Sequence, residues 1–257
     1  MQAATLPFLS GWQWIRDGYK LFLTQPLAML FWSMMTSVLI TASYLIPILG
    51  QMILIASTPI LTFISLSACQ HIAAGRQMRL PMWTEPLRVP ETRRSLFGLG
   101  LAYLASCLTA GLLSTLPFLD GLAAAINDQG VLDEKVLIAA MQGPFITFGL
   151  LYVIISILFW HAPPLIGWHK IKITQALFFS MVACWRNKGP FLLYVISWAG
   201  IFFALQFFAE FLGMLGLSPG STQMLLTPLN IVLAAVLYCS FYPAYISIFG
   251  ANKASAT

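Results

Sequence analysis

Six long stretches of apolar residues, separated by short polar segments, run through this chain. We place them at about 26–47, 52–73, 96–117, 144–160, 190–215 and 224–248. Each is close to the roughly 20 residues that a helix needs to cross the hydrocarbon core of a bilayer. The pattern therefore predicts an all-α, polytopic membrane helix bundle with six transmembrane helices in a single membrane domain.

Two further segments are too polar to cross a bilayer but carry a regular apolar face. In residues 8–24 an apolar face alternates with Arg16, Asp17 and Lys20, and it consists of Trp12, Ile15, Tyr19, Leu21 and Phe22. Residues 173–189 repeat this design, and residues 82–94 are a weaker third example. Such amphipathic helices lie flat at the headgroup level, so we expect interfacial helices at 8–24 and 173–189.

The order of these elements predicts an internal repeat of about 80 residues, in which an interfacial helix precedes a pair of spans. Two units share a junction, LTQPLAMLF and NKGPFLLYV, in which a proline begins the span directly after the surface helix. Proline suits a first helical turn, where its missing N–H is not needed. The third unit lacks this proline.

Basic residues are distributed unevenly between the two sets of loops. Twelve of the thirteen lysines and arginines precede span one, follow span six, or lie between spans two and three or four and five. Only Lys135 lies in another loop, together with Asp120, Asp128, Asp133 and Glu134. By the positive-inside rule, both termini are expected in the cytoplasm, with the chain in the bacterial inner membrane.

The amino-acid composition also indicates a protein that is embedded in lipid. Hydrophobic residues make up 59% of the chain and charged residues 8%, against about 25% charged in soluble domains. The net charge of +5 comes from short loops beside apolar segments, so it favours an anionic membrane surface over nucleic acid as the partner.

The interfacial helices combine tryptophans with basic residues. We expect them to contact the anionic cytoplasmic leaflet through Trp12, Trp14, Arg16, Lys20, Trp185, Arg186 and Lys188.

Span three carries small residues at four-residue spacing, and these are Gly98, Ala102, Ser106, Ala110 and Ser114. Such a stripe lets another helix approach closely. It predicts either internal packing of the bundle or a face for another membrane protein or a second copy of the chain.

Glu210 is the one carboxylate placed within an apolar stretch. An ionisable group at mid-membrane is a candidate transport residue. However, Glu210 follows Pro190 by about 20 residues, or about 30 Å of helix, which places it near the outer interface. If the chain is a transporter, we expect Glu210 and Gln206 to share a cavity with serines and threonines of spans one and three.

Metal or haem binding is a further alternative. His71, His161 and His169 all lie near the predicted cytoplasmic ends of spans, as do Cys69 and Cys184. No diagnostic ligand spacing accompanies them, so we expect no cofactor. The segment WHAPPLIGWHKIK, residues 160–172, predicts a proline-rigid cytoplasmic turn rather than a broken helix of the transporter kind.

The sequence resembles a family of uncharacterised integral inner-membrane proteins of β-proteobacteria. The resemblance rests on GWQWIRDGYKLFLTQPLAML (11–30), IPILGQMI (46–53) and ALFFSMVACWRNKGPFLLY (176–194). It extends more distantly to the membrane domain attached to some glycerophosphodiester phosphodiesterases. The family implies inner-membrane residence and supplies no catalytic residues.

These observations leave three functional hypotheses. The first is a non-enzymatic accessory, assembly or membrane-organising subunit that binds lipid or a partner membrane protein. The second is a transporter or channel for a small solute or lipid, acting as an oligomer. The third is a haem- or metal-binding redox subunit. There is no P-loop and no pair of carboxylates placed to share a pocket, so we expect no enzymatic activity.

Overall fold

The computed structural model describes residues 3–125 and 133–250, which form α-helices and no strand. In chain order the helices are α1 (Ser10–Thr24), α2 (Pro26–Ser43), α3 (Leu49–Ala73), α4 (Leu80–Thr84), α5 (Pro90–Thr115), α6 (Leu119–Ala123), α7 (Glu134–Phe159), α8 (Ala162–His169), α9 (Ile173–Arg186), α10 (Lys188–Met214) and α11 (Pro219–Phe249). Among the described residues, six stretches are long and apolar enough to cross a membrane, and they correspond to α2, α3, α5 with α6, α7 with α8, α10 and α11. The predicted all-α bundle with six membrane helices is confirmed.

Two of the long helices begin well before their apolar stretches. Helix α5 begins at Pro90, six residues before the predicted span, because proline fits the first turn. Helix α7 begins at Glu134, ten residues before the predicted span. The Asp133 carboxylate caps it by accepting hydrogen bonds from the backbone N–H groups of Lys135 and Val136, at 3.0 and 3.2 Å. Hydropathy detects the apolar part of a helix and misses its polar first turns.

With the short helices α6 and α8 set aside, the order of one short helix followed by two long ones occurs three times along the described chain. Helices α1, α2 and α3 form the first unit, α4, α5 and α7 the second, and α9, α10 and α11 the third. Each short helix packs against long helices of another unit: α1 on α10 and α11, α4 on α3, and α9 on α7. Helices α1, α4 and α9 therefore join the units in a cyclic order.

Two amide side chains anchor this arrangement where an interfacial helix meets its span. Gln25, between α1 and α2, donates to the carbonyl of Arg76 at 2.7 Å and accepts from the N–H of Met78 at 2.9 Å. Asn187, between α9 and α10, accepts from the N–H of Leu6 and donates to the carbonyl of Ala4, both at 2.9 Å. Each amide thus hydrogen-bonds to the backbone of the segment that precedes the first helix of another unit.

Glycine permits the close contact between α1 and α11. A Cβ atom on Gly18 would lie 2.5 Å from the Cα and 2.7 Å from the backbone nitrogen of Ser240. Both are backbone atoms that cannot rotate away. The same helix makes a second close approach at Gly11, where a Cβ atom would meet the backbone carbonyl of Pro190. Helix α1 therefore lies directly on its neighbours.

The fourth span is interrupted inside the bundle. Helix α7 ends at Phe159, and α8 begins at Ala162 with Pro163 and Pro164 in its first turn. The Ser180 hydroxyl bridges the break: it accepts from the N–H of His161 at 3.0 Å and donates to the carbonyl of Ile157 at 2.9 Å. It thereby replaces the direct bond that a continuous helix would make between these groups.

Helix α8 is buried, with Ala162 and Leu165 fully inaccessible. The predicted proline-rigid turn at residues 160–172 is therefore wrong. Two consecutive prolines indicate that a helix starts afresh, because neither can donate to the preceding turn. They do not reveal whether the chain then leaves the bundle or re-enters it. Packing against α3, α5 and α9 decides that it re-enters.

Candidate functional site

One end of the bundle is strongly basic. The starts of α2, α5 and α10 and the ends of α3, α7 and α11 meet there, and eleven basic side chains are exposed. They are Arg16, Lys20, Arg76, Arg79, Arg88, Arg93, Arg94, Lys170, Lys172, Arg186 and Lys188, and we call this surface the basic end. Lys253 and Asp128, which also entered the charge argument, lie outside the described residues.

Few of these charges are neutralised within the protein. Asp17 lies 3.6 Å from Arg16 and 3.3 Å from Lys20. Of the eleven basic residues at the basic end, those two are paired and nine have no ion pair with any described residue. The basic end therefore carries a large uncompensated positive charge.

Six of the seven predicted surface residues are exposed at the basic end. Trp12 is 51% and Trp185 69% accessible, and Arg16, Lys20, Arg186 and Lys188 are exposed as well. The Lys188 ammonium lies 5.4 Å from the centroid of the Trp185 ring, which is within cation–π range. This pairing combines an aromatic ring and a cation in the manner suited to a headgroup region.

Trp14 is the exception, and its predicted lipid contact is wrong. Its side chain is 2% accessible, and its indole N–H donates to the Ser247 hydroxyl at 2.9 Å. Its ring centroid lies 5.1 Å from that of Phe191 and 5.8 Å from that of Tyr194. Of the apolar face predicted for α1, Ile15 and Phe22 are buried, but Trp12 and Tyr19 are exposed, and the helix packs against the bundle through the side that carries Trp14.

The histidines and cysteines do not converge. His169 shares a 2.9 Å hydrogen bond with the Tyr245 hydroxyl, and the His71 ring nitrogen lies 3.7 Å from a Glu85 carboxylate oxygen. No three potential metal ligands come together among the described residues. Burial raises the pKa of the Cys184 thiol to about 12, so at neutral pH it stays protonated and poorly reactive.

The stripe of small residues on α5 lies largely against the bundle. Ala110 and Ser114 are buried, and Ala102 packs against the core. A Cβ atom on Gly98 would lie 3.2 Å from a methyl group of Ile173 on α9. Ser106 is half-buried and bonds to its own helix. These contacts use the stripe for internal packing, and a partner on this face remains a prediction.

Glu210 lies one turn before the end of α10, at the end of the bundle opposite the basic end. It is exposed and lines a groove of about 410 Å³ between α10 and α11. We call this the outer groove, and its other polar residues are Gln206, Thr222, Gln223, Thr227 and Asn230. The expected share of spans one and three in this cavity is wrong, because the groove is lined by α10, α11 and the loop between them.

Residues 216–220 read GLSPG and match the Gly-x-Ser-x-Gly pattern of hydrolase nucleophiles. That pattern requires a strand-to-helix turn that exposes the serine. Here Ser218 lies between two helices, and its hydroxyl accepts from the N–H of Ser221 as the N-cap of α11. The segment is therefore a helix cap rather than a nucleophile turn.

These features define the class: a polytopic α-helical membrane protein with one strongly basic end. The chain is 30% identical over 274 residues to a protein of Burkholderia thailandensis named "Probable inner membrane protein", with 100% of this chain and 97% of that protein aligned. It therefore belongs to this family of integral inner-membrane proteins, as the sequence resemblance predicted. No family model and no solved structure matches it.

Proposed function

We propose that this protein is a non-enzymatic inner-membrane protein that binds anionic lipid at its basic end. The observation that carries the proposal is the set of nine exposed cations without an ion pair within the described chain. By the positive-inside rule this end faces the cytoplasm, where anionic headgroups are available.

The start of α5 is the part of the basic end where we expect an external anion to bind most strongly. Arg93 and Arg94 lie in its first turns and Arg88 shortly before them, where the helix dipole already places partial positive charge. The one acidic residue in that first turn is Glu91. A phosphate group at this position would accept hydrogen bonds from arginines and from free backbone N–H groups together.

Replacing Arg88, Arg93 and Arg94 by glutamine will weaken binding of anionic lipid. Each basic residue near a membrane surface contributes about 1 kcal/mol, so the triple variant should lose on the order of 100-fold in affinity. The measurement is native mass spectrometry of protein released from nanodiscs of phosphatidylglycerol and phosphatidylcholine, at two salt concentrations.

The matched control is Lys135→Gln, which removes a charge near the start of α7 at the other end of the bundle. We expect it to retain phosphatidylglycerol like the wild type. Equal retention of phosphatidylglycerol by the triple variant and the wild type would contradict the proposal. So would a binding preference that does not weaken as salt is raised.

Partner binding belongs to the same proposal. An accessory or assembly role requires a stable contact with another membrane protein or a second copy, and the exposed part of α5 beside the small-residue stripe is the surface we propose for it. The distant resemblance to the membrane domain attached to glycerophosphodiester phosphodiesterases also stays a prediction.

A second candidate function is transport of a small solute, and the outer groove favours it. Gln206 and Glu210 lie one turn apart on α10, and Asn230 faces the same groove from about 16 Å inside α11. Polar side chains at such depth are costly against lipid, so water or solute is their expected contact.

Cysteine accessibility tests this second candidate. Gln206→Cys places a thiol in the groove. Phe207→Cys places a thiol at about the same depth on an apolar surface outside the groove, where Phe207 is 76% accessible. A membrane-impermeant maleimide should label the first at least about tenfold faster, because the reactive thiolate forms where water reaches the sulfur. Equal rates would show that the groove is dry and would remove the transport candidate.

A further inference from the structure

A cavity of about 260 Å³ lies beside the break between α7 and α8. Its lining comes from α3, α5, α7, α8 and α11 and the residues between α7 and α8, so all three units contribute. Thr62 on α3 is 11 residues from the end of that helix at Ala73, or about 16 Å, which is near the middle of the hydrocarbon core. The break itself lies beside the first turn of α10 and the last turn of α11, where His161 packs against Phe191 and Phe249, and the cavity extends from there to Thr62. Cavities beside broken helices at the junction of repeats are typical of solute-binding sites in membrane proteins.

The cavity wall is aromatic and uncharged. Among the described residues, no lysine, arginine, aspartate or glutamate lines it. The rings of Phe159, Trp160 and Phe241 form part of the wall, and the Tyr103 and Tyr152 hydroxyls pair with each other at 3.0 Å. A charged ligand would find no counter-ion here, and burial of an unpaired charge is prohibitively costly. The lining therefore favours an uncharged ligand with a flat, apolar body.

Several polar groups in the wall have free acceptor capacity. The Thr58 and Thr62 hydroxyls donate to carbonyls of their own helix, at 3.2 and 2.9 Å, which leaves oxygen lone pairs available. His161 is 2% accessible, and its Nε2 atom has no hydrogen-bond partner among the described residues. A buried polar atom that stays unpaired lowers the stability of the fold.

The fold holds His161 in this position. It occupies the break itself, and its backbone N–H is fixed by the buried Ser180 hydroxyl. Its ring packs at 5.3 Å from that of Phe249 and 5.8 Å from that of Tyr245. The break thus places a polar side chain without a hydrogen-bond partner among the described residues in the wall of the cavity.

We propose that this cavity, which we call the break cavity, binds a small uncharged phenol or aromatic alcohol. Its ring lies among the aromatic side chains, and its hydroxyl donates to the threonine oxygens or to His161. The volume is just below the roughly 300–1,000 Å³ typical of sites for drug-sized molecules, which suits a compact ligand. None of the eleven basic residues of the basic end lines the break cavity, so this binding does not depend on the proposed lipid binding.

Photolabelling of the full-length protein in nanodiscs tests the proposal. The probe is a phenol that carries a trifluoromethyl-diazirine group, and the comparison compound is the same diazirine without the hydroxyl. Mass spectrometry then identifies the labelled peptides. We expect the phenol probe to label residues 151–166 and 236–246 more strongly than the comparison compound does, and excess phenol to suppress that labelling.

Two variants and a control make the test specific. Thr62→Val keeps the shape of the side chain and removes an acceptor, and His161→Phe removes the unpartnered nitrogen. Each should reduce labelling of the break cavity about two- to tenfold, the value of one hydrogen bond. Thr109→Val, at an exposed position on α5, should leave it unchanged.

The proposal is overturned if both compounds label the break cavity equally, because the hydroxyl would then play no part. It is also overturned if the label spreads evenly over the lipid-facing surface, or if folded Thr62→Val protein labels like the wild type. Because Thr62→Val is nearly isosteric, the test stands even if His161→Phe does not fold.

Discussion

Replacing Gly18 by alanine will detach α1 from the bundle and lower the stability of the whole protein. The new methyl group would lie 2.5 Å from the Ser240 Cα atom, well inside van der Waals contact. Because the obstruction is backbone, side-chain rotation cannot relieve it, and one of the two helices must move. Overpacking of this kind typically costs about 1–3 kcal/mol, and a backbone clash is expected at or above the upper end.

Movement of α1 has consequences beyond the clash. The helix carries Trp14, whose indole hydrogen bond and ring contacts depend on its present position. We therefore expect faster hydrogen exchange in residues 10–24 and a lower unfolding temperature in detergent. The two effects should appear together, since both follow from loss of the same helix contact.

Gly200→Ala is the matched control for Gly18→Ala. Gly200 lies in the middle of α10, and a Cβ atom there meets nothing within 4 Å. Alanine is favoured over glycine inside a helix by up to about 1 kcal/mol, so this variant should be as stable as the wild type or slightly more so. If Gly18→Ala and Gly200→Ala behaved alike, the close contact between α1 and α11 would be incorrect.

Asn187→Ala is expected to have the second largest effect. The amide is fully buried and joins the start of α10 to residues 4–6, and it also donates to the Ala183 carbonyl at 2.9 Å. Alanine would leave the Leu6 N–H and the Ala4 carbonyl without this partner. At about 1–3 kcal/mol for each of these two partly buried groups left unpaired, the expected loss is about 2–6 kcal/mol.

Gln25→Ala provides the comparison for Asn187→Ala, since Gln25 makes the same kind of double contact with residues 76–78 at a more exposed position. Water can take over its hydrogen bonds, so we expect a loss of about 1 kcal/mol or less. Equilibrium unfolding in detergent measures both losses, and limited proteolysis near residues 3–9 reports local release in Asn187→Ala. A larger loss for Gln25→Ala would contradict the assigned burial of the two amides.

The basic end and the break cavity differ in their charge and therefore in the kind of ligand that each can bind. The basic end is exposed and cationic, and its interactions should weaken as salt is raised. The break cavity is lined by aromatic and uncharged polar side chains, and its binding should be insensitive to salt. A salt titration of both phosphatidylglycerol retention and phenol labelling would therefore separate the two activities in one protein preparation.

The sequence by itself determined the number of membrane helices and the class of the fold. Lipid offers no hydrogen bonds to the backbone, so an apolar stretch of sufficient length has the helix as its available form. Proline at 26 and at 190 marked the junctions between interfacial helices and spans, because proline is tolerated in a first turn. The sequence also predicted correctly that most basic residues lie at one end of the bundle, because successive loops between membrane helices alternate between the two ends.

Tertiary structure alone decided which surfaces meet lipid and which meet protein. Periodicity places Trp12 and Trp14 on one helix but does not reveal that the first is exposed and the second covered by α10 and α11. The same holds for residues 162–169, which hydropathy and two prolines describe equally well as a turn or as a buried helix. The physical reason is that lipid tails and neighbouring helices are almost equally apolar, so a hydrophobic face does not specify its neighbour. The break cavity, the outer groove and the place of α1 depend on contacts between residues far apart in the chain, and these exist only once the helices have packed.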